Sequence, residues 1–209
     1  MSQDDARARR TEVLGSVLHM LKLETHAMHE RIEQVVPLMR PGLRIAQYQT
    51  HLQSLLGYYR PLERQLATWH GEWSLSGLNW AARVKSPILE QDLLALGVSP
   101  AEIAGVPECT ALPDSKTLAG AWGVLYVLEG STLGGKIISR RLRESLGLTT
   151  SSGARFLNPY GDRTGAMWQS FAGSLAGWSQ LNVGALPVVA SAQQTFMTLT
   201  AWLEACQDG

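Results

Sequence analysis

Ala119-Gly-Ala-Trp-Gly-Val-Leu-Tyr-Val-Leu-Glu-Gly-Ser-Thr-Leu-Gly-Gly-Lys136 repeats its apolar residues at helical spacing yet carries glycine at 120, 123, 130, 134 and 135. Each glycine inside a helix costs about 1 kcal/mol relative to alanine, so five interior ones give up roughly 5 kcal/mol. Net domain stability is only about 5–15 kcal/mol, so the missing side chains must serve some purpose. The gain is close approach, by another helix or by a large flat ligand lying against the backbone. From the glycines alone both readings stand. Tyr126, Ser131 and Thr132 are polar, however, and Glu129-Gly130-Ser131-Thr132 interrupts the apolar stripe in mid-helix. A bendable, polar, side-chain-free section suits a ligand and its ordered water better than a dry helix crossing.

Outward from this stretch, helical patterns dominate and period-2 alternation is almost absent. The first helix is expected from about Thr11 to Val36, with Leu14, Val17, Leu18, Leu21, Met28, Ile32 and Val35 as its apolar stripe. A second spans about Ile45–Trp69, where Pro61 should kink or divide it. A third covers Ile88–Leu96, and Ser99-Pro100-Ala101-Glu102 reads as a further helix start. Ala104–Asp114 reads as loop, and the glycine-rich helix runs from about Ser115 to Leu146, stopping at Gly147. Thr164–Gly177 and Val188–Ala205 close an all-α chain of seven or eight helices around one core, a single domain over 1–209. Residues 1–10 are polar and expected to be disordered.

The 209 residues carry 18 Lys plus Arg against 18 Asp plus Glu, so no net field draws nucleic acid or an anionic membrane. No apolar run reaches the ~18 residues of a membrane span, and the N-terminus lacks a signal peptide's apolar core, which points to the cytoplasm. Cys109 and Cys206 fit no metal spacing and read as reduced, idle thiols.

Within the first helix, Leu23-Glu-Thr-His-Ala-Met-His-Glu-Arg-Ile-Glu33 groups His26, His29 and Glu33 on one face. Of the histidines only His29 borders the apolar stripe, and Glu33, four residues on, can orient its ring and improve its other nitrogen as an iron ligand. Read alone, His29 is more readily a satisfied, half-buried histidine making a surface contact. His19, His51 and His70 read as structural or exposed. Direct zinc or non-haem iron binding would need inward carboxylates with paired histidines elsewhere, and Glu63, Glu90 and Glu144 lack them.

Taken together, Thr25-His-Ala-Met-His29-Glu-Arg-Ile-Glu33 and Tyr126-Val-Leu-Glu-Gly130-Ser-Thr-Leu-Gly134-Gly135 resemble the proximal and distal helices of haem oxygenase. The resemblance is to the bacterial biliverdin-producing type, the branch associated with bacteriophytochromes included. It implies an all-α fold with haem b between the two helices, His29 as the axial iron ligand and Glu33 as its partner. It further implies that Gly130, Ser131 and Gly134 perform the catalytic work, with Gly135 beside them at the haem. Lys22 and Tyr126 match positions that hold haem propionates. Haem is then cofactor and substrate together, opened with O2 and an external electron donor to biliverdin, iron and carbon monoxide. The implied partners are a reductase or ferredoxin and a biliverdin-accepting phytochrome-type photoreceptor. A non-catalytic haem-binding or haem-transfer protein is the competing reading.

Two positions depart from the family pattern. Ser131 replaces the aspartate of mammalian members, as in bacterial relatives, so water must be ordered by Ser131 or by backbone groups. Met167–Gly177 has no basic residue for a propionate, which leaves Arg155, Arg163 and Lys136 as candidates. Gly120 and Gly123 are expected to serve helix packing alone.

Overall fold

A computed structural model describes the backbone of residues 3–181 and 185–208, with side chains over 17–181 and 185–207. Nine α-helices and no strands occur among the described residues, in keeping with the all-α expectation. They are α1 (Gln3–Val35), α2 (Ile45–Ala67), α3 (His70–Leu75), α4 (Ser86–Ala95), α5 (Pro100–Ala104), α6 (Leu118–Gly130), α7 (Gly135–Leu146), α8 (Thr164–Leu181) and α9 (Ala185–Asp208). The backbone of α1 is helical from Gln3, where the polar composition suggested disorder through residue 10. Leu14 of the expected α1 stripe lies outside the described side chains.

Helix α9 is the hub, with α6, α1 and α2 laid against it. Its contact with α6 is backbone to backbone. A Cβ at Gly123 would collide with the Val188 carbonyl and come within 2.9 Å of the Ala192 nitrogen. A Cβ at Gly120 would lie 2.5 Å from the Asp114 carbonyl, and Ser191 donates to the Gly120 carbonyl at 2.7 Å. These two glycines are packing glycines, as expected. Tyr58 ties α2 to α9 through Thr198 at 2.8 Å, and the Trp202 indole donates to the Ser54 carbonyl at 2.7 Å.

Pro61 does not divide α2, which runs unbroken through it. Proline has no N–H for the carbonyl of residue 57, so that carbonyl is free to accept elsewhere. It takes the Cys109 N–H at 2.9 Å, and a Cβ at Gly57 would clash with the Pro107 carbonyl. The Gly57–Pro61 notch thus docks the loop after α5. Helix α5 has the expected capping box, with Ser99 N–H donating to Glu102 at 2.9 Å.

The glycine-rich stretch is where the structure departs most from one long helix. It winds as α6, tightens to a 3-10 turn over Ser131–Gly134, and resumes as α7, which stops at the left-handed Gly147. Ser131 donates to the Leu128 carbonyl at 2.9 Å and Thr132 to the Glu129 carbonyl at 2.7 Å. Such hydroxyl bonds to the preceding turn compete with the i→i−4 ladder and bend a helix.

Candidate functional site

On α1, Val17, Leu21, Thr25 and Val35 are buried, with Met28 and Ile32 partly so, and His29 sits on the flank of that stripe. The His29 side chain is 55% exposed, its Nδ1 is 3.5 Å from a Glu33 carboxylate oxygen, and its ring is edge-on to Phe196 of α9, 6.0 Å between centroids. Glu33 therefore faces Nδ1, the nitrogen through which a carboxylate can fix an imidazole ring, and Nε2 is the nitrogen left able to bind a metal. His26 makes a parallel contact with Glu30 at 3.5 Å but is more exposed and has no aromatic neighbour. Lys22 is exposed two turns before His29 and forms no ion pair among the described residues.

Tyr126 joins the two motifs. Its hydroxyl reaches Thr25, one turn before His29, and its ring lies 5.9 Å from Trp168 of α8. Burial raises its pKa, with the Thr25 contact pulling the other way, so it stays a neutral phenol. One turn beyond Tyr126 is Gly130. A Cβ there would meet only the Trp168 ring, at 3.9 Å, and one at Gly134 would meet nothing within 4 Å.

Gly135 is different. Its Cβ would be built into the Leu157 carbonyl, 2.8 Å from the carbonyl carbon, so its missing side chain admits the 157–158 backbone. In this packing it is like Gly120 and Gly123. Ser131 is exposed at the open side of the turn, and the buried Tyr59 hydroxyl faces it. Burial raises Tyr59, and nearby Glu63 and Glu129 add to the shift, so it too remains protonated. Of the basic candidates, the Arg155 guanidinium turns to Gln91 of α4 at 3.4 Å, and Arg163 is exposed. Lys136, at the start of α7, is exposed 3.7 Å from Asp162.

Behind the turn lies a charged knot that sequence reasoning missed. The Glu129 side chain is 1% exposed and is bound by Arg83, by Lys85 at 2.7 Å and by the Tyr160 hydroxyl at 2.8 Å. Arg83 also donates to the Met167 carbonyl at 3.2 Å, which ties the knot to α8. Beside it, buried Glu63 accepts the Lys85 N–H at 2.6 Å and the Ser86 N–H at 3.1 Å. Burial raises the Glu63 pKa against those bonds. Glu129 is the only charge between Leu118 and Gly135, and a charge on an apolar stripe calls for a partner. That was the available signal, but nothing in the spacing names residues some 45 positions upstream.

A family model described as "Heme oxygenase" matches residues 16–205. The chain belongs to the haem oxygenase family. A heme oxygenase of Xanthomonas campestris pv. campestris (strain 8004) is 41% identical over 98 residues, 46% of this chain and 54% of the relative. The match thus spans about half of that relative's length. The fold is similar to that of the heme oxygenase of Neisseria meningitidis (TM-score 0.73, 20% identity, 91% of each chain). It is also similar to heme oxygenase-1 of the cyanobacterium Synechocystis sp. PCC6803, solved in complex with heme (TM-score 0.73, 15% identity, 92% of each chain). The Leptospira interrogans heme oxygenase gives a TM-score of 0.69 at 18% identity over 91% of this chain and 99% of that one.

Proposed function

We propose that this chain is an active haem oxygenase that opens haem to biliverdin, iron and carbon monoxide. The observation that carries the reading is the pairing of an accessible, carboxylate-oriented His29 with the open glycine faces of the distal turn. Bound haem would supply both the iron that activates O2 and the porphyrin that is opened. A neutral imidazole suits this, because unlike a thiolate it gives little push towards O–O cleavage.

The chain's own residues then divide the work. His29 would hold the iron through Nε2, its ring fixed by Glu33. Gly130 and Gly134 keep the distal face free of side chains, so oxygen can lie close to the porphyrin edge. Ser131 and the backbone of its turn order the water that delivers protons, with the protonated Tyr59 behind them. Tyr126 pins the two helices together at Thr25. Lys22 and Lys136 are the cations best placed for carboxylates at the haem edge.

The same reading includes a reductase or ferredoxin as electron donor and a phytochrome-type photoreceptor as one acceptor of biliverdin. It also places the protein in the cytoplasm. Among the described residues no helix is long and apolar enough to cross a membrane.

A haem carrier of this fold would use His29 equally well but would gain nothing from a polar, side-chain-free distal turn. Adding haem and a reductant under air separates the two, since biliverdin absorbance supports the enzyme and persistent haem the carrier. His29→Ala should lose the axial-histidine spectrum and most of the activity while melting as the parent does. An unchanged haem spectrum would move the ligand elsewhere, with His26 the first suspect.

A further inference from the structure

The tryptophans form a run of ring contacts that starts beneath the distal turn. Tyr126 is 5.9 Å from Trp168, the ring that a side chain at Gly130 would touch. Trp168 is 5.4 Å from Phe171, and Phe171 is 5.9 Å from Trp122. Trp122 is 4.9 Å from Trp73, which stacks on Trp80 at 6.4 Å. Trp80 ends the run in the wall of an open groove of about 400 Å³. We infer that this run carries oxidising equivalents from the distal site to the groove at Trp80, protecting the site from oxidative damage. The inference rests on the haem reading above.

Packing alone does not explain indole at these positions. The Trp122 N–H is buried with no hydrogen-bond partner among the described residues, a cost that phenylalanine would avoid. That orphaned N–H matters for electron transfer. An oxidised indole is trapped when a base takes its proton, and Trp122 has no base to offer it to. The Trp73 N–H donates to the Leu66 carbonyl at 2.8 Å, which is likewise no base. Trp80, though mostly buried, borders water in the groove, and there the proton can leave.

The balance is simple. Cleaving the O–O bond of hydrogen peroxide to give two waters takes two electrons and two protons; the protons come from solvent, and an electron that neither the porphyrin nor an external donor supplies comes from a neighbouring ring. One electron leaves Trp168. Trp122 refills that ring across Phe171, Trp73 refills Trp122, and Trp80 refills Trp73, with no bond broken on the way. Oxidised Trp80 releases its indole proton to water. An external one-electron donor then returns the electron, water returns the proton, and the indole is restored.

The test treats the haem-loaded protein with hydrogen peroxide in the absence of reductant. Samples are frozen for electron paramagnetic resonance and digested for peptide mass spectrometry. The wild type is expected to give a tryptophan radical and oxygenated Trp80. Trp122→Phe and Trp73→Phe, which keep an aromatic ring in place, should each lower Trp80 oxygenation several-fold and raise it at Tyr126 and Trp168. The same distribution of oxidised residues in all three proteins overturns the relay. Thermal melting checks each variant, and if Trp122→Phe does not fold, Trp73→Phe decides. The haem spectrum before peroxide reports separately on the haem reading. Should no haem bind, photo-excited ruthenium tris-bipyridine with persulfate oxidises the same three proteins. A fall of Trp80 oxygenation in the variants then upholds the relay, and no change overturns it.

Discussion

The two sides of the distal turn are built on opposite terms. Behind it, Glu129 is sealed among two cations and a phenol, and Gly135 is pressed against the Leu157 carbonyl. In front, Gly130 meets one ring edge and Gly134 meets nothing. The same residue type thus serves two ends within six positions. A glycine that admits backbone is a stability device, and a glycine that faces open space is kept for something outside the fold. The bonded back holds the turn in place while its glycine face in front stays bare.

The sharpest way to break this contrast is to remove the back. Glu129→Ala strands Arg83 and Lys85 as buried, unpaired cations, and breaking a buried ion pair costs about 3–5 kcal/mol. Urea unfolding should show a loss of at least that range. A loss below about 1 kcal/mol would mean that the knot does not anchor the turn. Gly135→Ala comes next. Overpacking usually costs about 1–3 kcal/mol, and here the obstacle is a backbone carbonyl, which cannot swing aside as a side chain can. A loss of about 3 kcal/mol is expected, whereas Gly134→Ala should cost almost nothing by the same measurement.

How much of this was legible beforehand differs between the two sides. The helix content, the α1 stripe, the Ser99 capping box and the Gly147 stop follow from periodicity and end signals, which are local. His29 with Glu33 was legible because both lie on one helix at a fixed spacing. The packing of Gly135 was not legible because a glycine's neighbours are tertiary facts, and the Leu157 carbonyl leaves no mark on residues 119–136. Pro61 was half legible for a related reason. Its local rule predicts a kink or a break; α2 is not broken there, and the freed Gly57 carbonyl takes the Cys109 N–H across a loop. The charged knot was invisible because it joins residues 44 and 46 positions apart.

The same contrast appears in two histidines and gives a smaller effect. His51 is fully enclosed in α2, and burial lowers its pKa to about 4, whereas His29 stands exposed. Unfolding frees His51 to take up a proton near its ordinary value of about 6.5. Below that pH the unfolded chain binds more protons than the folded one, so stability falls as pH falls towards 4. The contribution lost between pH 7 and pH 5 is about 2 kcal/mol. His51→Leu should flatten this part of the stability–pH curve. An unchanged acid limb would assign it to other groups.

The smallest structural effect belongs to Gly134→Leu, and it is the most informative. Space is open on that side, φ is an ordinary helical −78°, and leucine favours helix over glycine by roughly 1 kcal/mol. The melting temperature should therefore hold or rise slightly. Haem should still bind, because His29 and Glu33 lie on another helix. Ring opening should nevertheless fall by an order of magnitude or more, because the leucine side chain would occupy the space that oxygen needs beside the porphyrin. A variant that folds, binds haem and makes biliverdin at the parent rate would remove the steric argument for the open glycines. One that unfolds instead would place Gly134 with Gly135, and the division between the two sides of the turn would be lost.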